Sequence, residues 1–196
     1  MVNVLYIDCC IRRELSRTRQ VAEAFLNALE AQGRYAIDRL TLMDEPLQAL
    51  SEGFFAQRER LLLSPDREHP RFRYAHQFQR AERVVIAAPF WDLSFPALLK
   101  LYIENICVDR ITFGADEHGT FGLCSAERLL FITTRGGDMT DSPLEMGARY
   151  LEALCEFWGI PRFDVVAGNG LDLGLEPVEN ILARTTQEAL SFARDF

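Results

Sequence analysis

Two apolar runs in the middle of the chain constrain its fold more than any other feature. Residues 83–88 (RVVIAA) and 129–133 (LLFIT) are apolar almost without interruption and rich in β-branched side chains. Strands with one face in water alternate apolar and polar residues, whereas strands covered on both faces do not. The two runs therefore predict central parallel strands with helices on both sides of the sheet.

Strand-like and helix-like segments alternate along the rest of the chain. Further short β-type segments lie at residues 2–7, 35–42 and 163–167. Apolar spacing predicts a first helix in the segment with Val21, Phe25 and Leu29. Residues 51–80 predict two helical pieces, interrupted at Pro65 and Pro70. Further helices are predicted from Pro96 to Ile106, at 143–158 and at 178–193. This alternation, with right-handed crossovers, predicts an α/β fold with a parallel sheet between two helical layers.

Length and charge limit the organisation of the chain and its partners. With 196 residues and 48% hydrophobic content, we expect one domain spanning residues 1–196. The net charge of −8 opposes binding to nucleic acid or to an anionic membrane. No apolar run reaches the roughly 20 residues that span a bilayer, and residues 1–8 lack the features of a secretion signal. We therefore expect a cytoplasmic protein.

Cysteine and histidine usage predicts neither a disulfide framework nor a metal site. The five cysteines are Cys9, Cys10, Cys107, Cys124 and Cys155. Their number is odd and no C-x-x-C spacing occurs, so we expect reduced thiols and no zinc. Neither H-E-x-x-H nor another clear metal pattern is present, and no metal is expected.

The loop after the first strand has the composition of an anion site. In open parallel sheets, ligands bind outside the carboxyl ends of the strands. Residues 8–18 bring Ser16, Thr18 and free backbone N–H groups to the start of a helix, with arginines at 12, 13, 17 and 19. These groups can bind a phosphate, or the hydroxyls can simply cap the helix. Since neither G-x-x-x-x-G-K-[ST] nor G-x-G-x-x-G occurs, a mononucleotide phosphate fits better than a dinucleotide.

The loops after the third and fourth strands could hold a planar ring. Residues 88–96 place Phe90, Trp91, Phe95 and two prolines directly after a buried strand. Stiff backbone amides and an aromatic cover suit a flat heterocycle, although the aromatics could equally belong to the core. In residues 133–137, two adjacent glycines permit close approach of a ligand or simply form a turn.

Taken together, these motifs resemble the FMN-dependent NADH-azoreductases and related NAD(P)H-quinone oxidoreductases of the flavodoxin-like superfamily. The resemblance spans nearly the whole chain and is strongest at residues 88–92, 96–100, 111–113, 133–137, 150–151 and 157–160. It implies a flavodoxin-like three-layer sandwich with a five-stranded parallel sheet in the order 2-1-3-4-5. It also implies a homodimer with flavin sites at the subunit interface.

The resemblance also assigns site residues. It implies that Cys10, Ser16, Arg17 and Thr18 hold the FMN phosphate, that Pro89, Phe90, Trp91, Asp92 and Leu93 contact the isoalloxazine ring, that Thr134, Arg135, Gly136 and Gly137 reach its other edge, and that Phe113 and Phe157 line the substrate cavity. Two positions depart from the family pattern. Cys10 replaces a serine and is a poorer donor. Asp92 replaces an asparagine, and its carboxylate would disfavour an anionic reduced flavin.

The implied activity is transfer of a hydride from NADH or NADPH through bound FMN to a small, flat acceptor such as a quinone or azo compound. The cofactor carries the redox chemistry, so no side chain need be a covalent catalyst. A flavodoxin-type electron carrier without NAD(P)H activity is the alternative, and the acidic composition would suit it. A hydrolase is disfavoured because no G-x-S-x-G is present and His69, His76 and His118 lie in polar stretches.

Overall fold

A computed structural model describes residues 1–64 and 67–196. Its strands are β1 (Val2–Asp8), β2 (Tyr35–Thr41), β3 (Arg83–Ala87), β4 (Phe113–Asp116), β5 (Gly119–Gly122), β6 (Arg128–Thr134) and β7 (Phe163–Gly168). Its helices are α1 (Arg17–Glu30), α2 (Glu52–Leu63), α3 (Arg73–Arg80), α4 (Ala97–Ile106), α5 (Gly147–Trp158) and α6 (Val178–Phe192). None of the helices in these ranges has the length and apolarity of a membrane span.

Five of the strands form one parallel sheet in the order β2-β1-β3-β6-β7. Counted along these five strands alone, this is the predicted order 2-1-3-4-5, so the predicted fold class is confirmed. All seven residues of β6 are buried, as expected of a central strand covered on both faces.

Alternate side chains of the central strands supply two separate cores. Leu129 and Phe131 of β6 pack with α3, α4 and α5 on one face of the sheet. Leu130 and Ile132 pack with α1 and α6 on the other face. This period of two gives the three-layer sandwich. Because all five strands are parallel, their carboxyl ends lie at one edge of the sheet.

The predicted helices agree with the structure in the irregular region 51–80, and one helix begins later than predicted. The irregular region does form two pieces, α2 and α3, and a short 3-10 turn at Pro70–Phe72 leads directly into α3. The predicted interruption at Pro65 lies outside the described residues. Helix α5 begins at Gly147, later than the predicted 143, because Glu145 caps it by accepting the Ala148 N–H at 3.1 Å with both carboxylate oxygens.

The antiparallel hairpin of β4 and β5 was not predicted. Its strands are four residues long and largely exposed, so they lack the apolar pattern of a buried strand. The hairpin packs on the end of α5, where Gly122 lies directly against the backbone of Trp158 and Gly159. This contact is tertiary and leaves no local signal in the sequence.

Candidate functional site

A cleft opens at the carboxyl ends of β1, β3 and β6. The three loops predicted from the sequence meet there. The predicted site residues that line the cleft are Ser16, Arg17, Thr18, Pro89, Phe90, Trp91, Thr134, Arg135 and Gly136. Residues as far apart in the sequence as Ser16 and Gly136 are therefore gathered at one edge of the sheet, as the topology requires.

One end of the cleft is built to attract an anion. Helix α1 begins there, capped by Ser16, whose hydroxyl accepts the Arg19 N–H at 3.3 Å. Arg12 and Arg17 line the cleft beside this helix end. The first N–H groups of a helix and its dipole favour negative charge, and the Arg12 guanidinium adds to that effect, whereas the charge of Arg17 is partly offset by Asp172, 2.7 Å away. Ser16 thus serves both as the helix cap and as part of the cleft wall.

The other two arginines of this loop do not serve the cleft. Arg13 pairs with Asp44 at 2.7 Å. Arg19 lies between the carboxylates of Asp8, at 3.6 Å, and Glu14, at 3.1 Å. The predicted basic cluster is therefore divided, and only half of it faces the cleft.

Two threonine hydroxyls join α1 to the end of β6. The Oγ1 atoms of Thr18 and Thr134 lie 2.7 Å apart in a buried position. Each hydroxyl has one proton to donate, so one of them donates to the other. The remaining O–H is available to a ligand in the cleft, which both residues line.

The structure does not bring the Cys10 side chain to the cleft. Cys10 is fully buried in the core beneath the loop. Its thiol contacts the Ala87 carbonyl oxygen at 3.6 Å, and its N–H donates to Asp8 Oδ1 at 2.8 Å. Burial, with the nearby Asp8 carboxylate as a second cause, raises the pKa of the Cys10 thiol. The thiol therefore stays protonated and acts as a core group.

The aromatic loop ends in a tight turn with two unpaired amides. Trp91 and Ser94 exchange backbone hydrogen bonds of 3.0 and 2.8 Å. Between them, Asp92 and Leu93 have φ values of 49° and 67°, the pattern of a type I′ turn. In the described part of the chain, no group accepts the N–H of Asp92 or Leu93. Both amides are therefore available at the tip of the loop, outside the cleft wall itself.

The conformation of Leu93 predicts a stabilising substitution. A branched residue at φ 67° costs about 1 kcal/mol that glycine does not incur. Leu93→Gly should therefore raise the free energy of unfolding by about 1 kcal/mol, measured by urea denaturation. Leu98→Gly, in α4 where φ is helical, is the matched control and should lower it. A loss of stability in Leu93→Gly would mean that the Leu93 side chain contributes more than its backbone strain costs.

The glycine loop after β6 runs beside the loop after β7. The N–H groups of Gly170, Leu171 and Asp172 donate to the carbonyls of Gly137, Arg135 and Gly136 at 3.0, 3.1 and 2.9 Å, respectively. A Cβ on Gly136 would lie 2.5 Å from Asp172 Oδ2, so a larger residue here would displace the Asp172 side chain, which is 67% exposed. Gly137 itself lies outside the cleft wall.

Leu171 and Asp172 form a fourth wall that the sequence analysis missed. Asp172 reaches across to Arg17 and pairs with it at 2.7 Å. The available signal was the position of these residues after the fifth predicted strand, between Gly170 and Gly174, since that loop must reach the same edge of the sheet.

Arg135 is neither a free cation in the cleft nor a surface residue. Its guanidinium is buried, pairs with Glu145 at 3.0 Å, and donates to Asn169 Oδ1 at 3.4 Å. It also lies 5.5 Å from the centre of the Phe90 ring. Burial lowers the pKa of Arg135, and the Glu145 carboxylate opposes that effect. The Nε atom is buried with no hydrogen-bond partner among the described residues.

Comparison with known proteins places this geometry in a family. Residues 2–192 match the sequence model of a family described as having a flavodoxin-like fold. The chain belongs to this flavodoxin-like family. It is 37% identical to FMN-dependent NADH:quinone oxidoreductase 2 of Clostridium acetobutylicum and 35% identical to an FMN-dependent NADH:quinone oxidoreductase of Clostridium perfringens, each alignment covering 100% of both chains. These matches confirm the predicted resemblance.

Solved structures agree with this assignment. An FMN-dependent NADH-azoreductase from Bacillus anthracis, in complex with FMN, superimposes with a TM-score of 0.88 at 25% identity, covering 99% of this chain and 98% of the other. Another azoreductase from Bacillus anthracis gives a TM-score of 0.89 at 25% identity, with 100% of both chains covered.

In this flavodoxin-like chain, the two predicted cavity residues meet each other rather than the cleft. The rings of Phe113 and Phe157 lie 4.5 Å apart between their centres, where the hairpin packs on α5. Both side chains are half-buried, and neither lines the cleft described above. Any role in a substrate cavity would require a surface outside this cleft.

Proposed function

We propose that this chain is an FMN-dependent oxidoreductase that transfers a hydride from NADH or NADPH through bound FMN to a quinone, azo compound or similar flat acceptor. The observation that carries the proposal is the cleft, which combines an anion-attracting helix end with an aromatic loop and a glycine loop. The names of the curated relatives favour a reductase over a flavodoxin-type electron carrier.

The residues of the cleft fit FMN at both of its ends. A phosphate would be held at the start of α1 by Ser16, Arg17 and Arg12. The planar ring would be held by Phe90 and Trp91, and the unpaired N–H groups of Asp92 and Leu93, at the tip of the same loop, would be available to a part of the ring that extends beyond the cleft wall. The buried Arg135 Nε–H, which has no partner among the described residues, is a further donor on the cleft wall. A flat, polar-edged ligand with an anionic tail would satisfy all of these groups.

In the proposed reaction, the protein binds and orients FMN. FMN supplies hydride chemistry when it is bound. The walls from the loops after β3 and β6 hold the ring in place, and the Thr18–Thr134 pair fixes the first turn of α1 against the end of β6. Preorganised backbone donors act on developing charge without having to reorganise. No side chain is assigned covalent chemistry.

Anaerobic absorbance spectroscopy tests the proposed function. The protein is titrated with FMN, and NADH or NADPH is then added. Bleaching of the bound-flavin band supports the reductase, and quinone and azo acceptors should then restore the band. Bound FMN that neither nucleotide reduces would favour the electron carrier. Failure to bind FMN would overturn both.

The phosphate end of the cleft makes a separate prediction. Ser16→Ala should weaken FMN binding about tenfold, because one hydrogen bond to a charged group is lost. Riboflavin, which has no phosphate, should bind the variant as it binds the wild type, and fluorescence titration measures both affinities. An equal loss for the two ligands would show that Ser16 acts only through its cap on α1.

We further propose that the chain forms a homodimer in the cytoplasm, with the cleft near the subunit interface. Four apolar side chains beside the cleft are 39–53% exposed: Trp91, Leu93, Leu144 and Met146. The Met146 N–H donates to the Leu93 carbonyl at 3.0 Å, and this bond holds the two loops together. An interface would also allow Phe113 and Phe157 to line a substrate cavity. Sedimentation equilibrium should give twice the mass of 22.4 kDa, and a monomer at micromolar concentration would contradict the proposal.

A further inference from the structure

The Arg135–Glu145 pair connects the cleft wall to the start of α5. Arg135 Nη2 lies 3.0 Å from Glu145 Oε1, and the two side chains are only 6% and 9% exposed. The Glu145 oxygens also accept the Ala148 N–H at 3.1 Å. The carboxylate is therefore held at a helix N-terminus, which stabilises its negative charge.

Only one of the two charged side chains of the pair lines the cleft. Arg135 lines the cleft and lies beside Phe90, another residue of its wall. Glu145 does not line the cleft; it borders a neighbouring pocket with residues 139–143, and Arg135 lines that pocket as well. Of the two charged residues only Arg135 therefore reaches the cleft wall, and Glu145 partly cancels its positive charge from the side of the neighbouring pocket.

The geometry of this pair matters for a ligand whose charge changes. Two-electron reduction of FMN with uptake of one proton adds one negative charge to the flavin ring. A nearby guanidinium stabilises that charge, and its counter-ion reduces the effect. The low exposure of both side chains limits screening by water and salt.

We infer that Glu145 is a positioning residue that holds Arg135 in the cleft wall and sets how strongly its positive charge acts on the flavin, and so sets the flavin reduction potential. The inference rests on the proposed function. The sequence analysis assigned no role to Glu145 itself.

Charge-changing substitutions in both partners test this inference through the potential of bound FMN. Glu145→Gln removes the counter-charge and should raise the two-electron potential by about 30 mV, which corresponds to a tenfold change in relative affinity for reduced and oxidised FMN. Arg135→Gln should lower the potential. The double variant should return close to the wild-type value. Spectroelectrochemical titration measures each potential.

Opposite shifts in the two single variants distinguish an electrostatic role from a structural one. Shifts of the same sign, or potentials equal to that of the wild type, would overturn the inference. If Glu145→Gln does not fold, the test compares Arg135→Gln with the double variant. A potential that is lowered in Arg135→Gln and equally low in the double variant would overturn the inference. Glu127→Gln makes the same charge change at a side chain that is 72% exposed, and should leave the potential unchanged.

The same experiment separates this inference from the proposed function. A wild-type protein that binds no FMN, or whose FMN is not reduced by NADH or NADPH, contradicts the proposed function. FMN that binds and is reduced, with equal potentials in all variants, contradicts only the role of Glu145.

Discussion

Gly122→Ala should lower the free energy of unfolding by about 3 kcal/mol, at the upper end of typical overpacking costs. A Cβ at Gly122 would lie 1.9 Å from the Trp158 carbonyl carbon and 2.0 Å from the Gly159 nitrogen. These are backbone atoms at the end of α5, so no side-chain rotation can relieve the clash. The hairpin would have to move away from α5 and weaken the Cys124 N–H to Trp158 carbonyl hydrogen bond of 3.2 Å.

Gly53→Ala is the matched control for this substitution. Among residues 1–64 and 67–196, no atom lies within 4 Å of a Cβ at Gly53, and alanine is the better helix former by about 1 kcal/mol. Its free energy of unfolding should be unchanged or higher. Urea denaturation without added flavin compares the two variants, since a bound ligand would itself raise the stability. Equal stabilities would show that the hairpin does not depend on close contact with α5.

Arg128→Ala should also cost about 3 kcal/mol, because it breaks a buried ion pair by removing one partner. Arg128 is 3% exposed and its Nε donates to Asp164 Oδ2 at 2.6 Å. The guanidinium also contacts the last residues of the chain, lying 5.2 and 5.3 Å from the ring centres of Phe192 and Phe196. The substitution leaves Asp164 with only the half-exposed Arg162 as a partner among the described residues, at 3.1 Å, and it releases the packing of the C-terminal residues on the sheet.

The control for Arg128 is an arginine in an exposed pair. Arg184 pairs with Glu176 at 2.6 Å, but its side chain is 65% exposed. Arg184→Ala should leave the free energy of unfolding nearly unchanged, because water and salt screen exposed pairs. A similar result for the two arginine variants, again by urea denaturation, would mean that burial adds nothing to the pair at Arg128.

Much of the candidate site could be predicted because its residues follow strands. Loops after β1, β3 and β6 must meet at one edge of a parallel sheet, so Ser16, Phe90 and Arg135 were expected near one another and all line the cleft. Side-chain direction was not predictable in the same way. Cys10 lies in a predicted loop, yet its thiol turns into the core toward Ala87, because the course of the loop depends on residues that are distant in sequence.

The sequence analysis missed site residues that follow no local sequence pattern. Asp172 belongs to the site through a pair with Arg17, 155 positions earlier. Glu145 lies in a loop, and its importance comes from Arg135 and from the start of α5. A single carboxylate in a polar stretch looks the same whether it is solvated or buried against a cation.

The sequence by itself determined the order of the five parallel strands and of the helices, and the edge of the sheet at which a ligand site must form. Apolar periodicity reflects which faces of a helix or strand are buried, so it can be interpreted one segment at a time. Only the tertiary structure decided that Arg135 is paired with Glu145, that Cys10 belongs to the core, and that the hairpin packs on α5 through Gly122. Each of these depends on contact between groups far apart in the chain, and such contacts exist only after the sheet and its helices have packed.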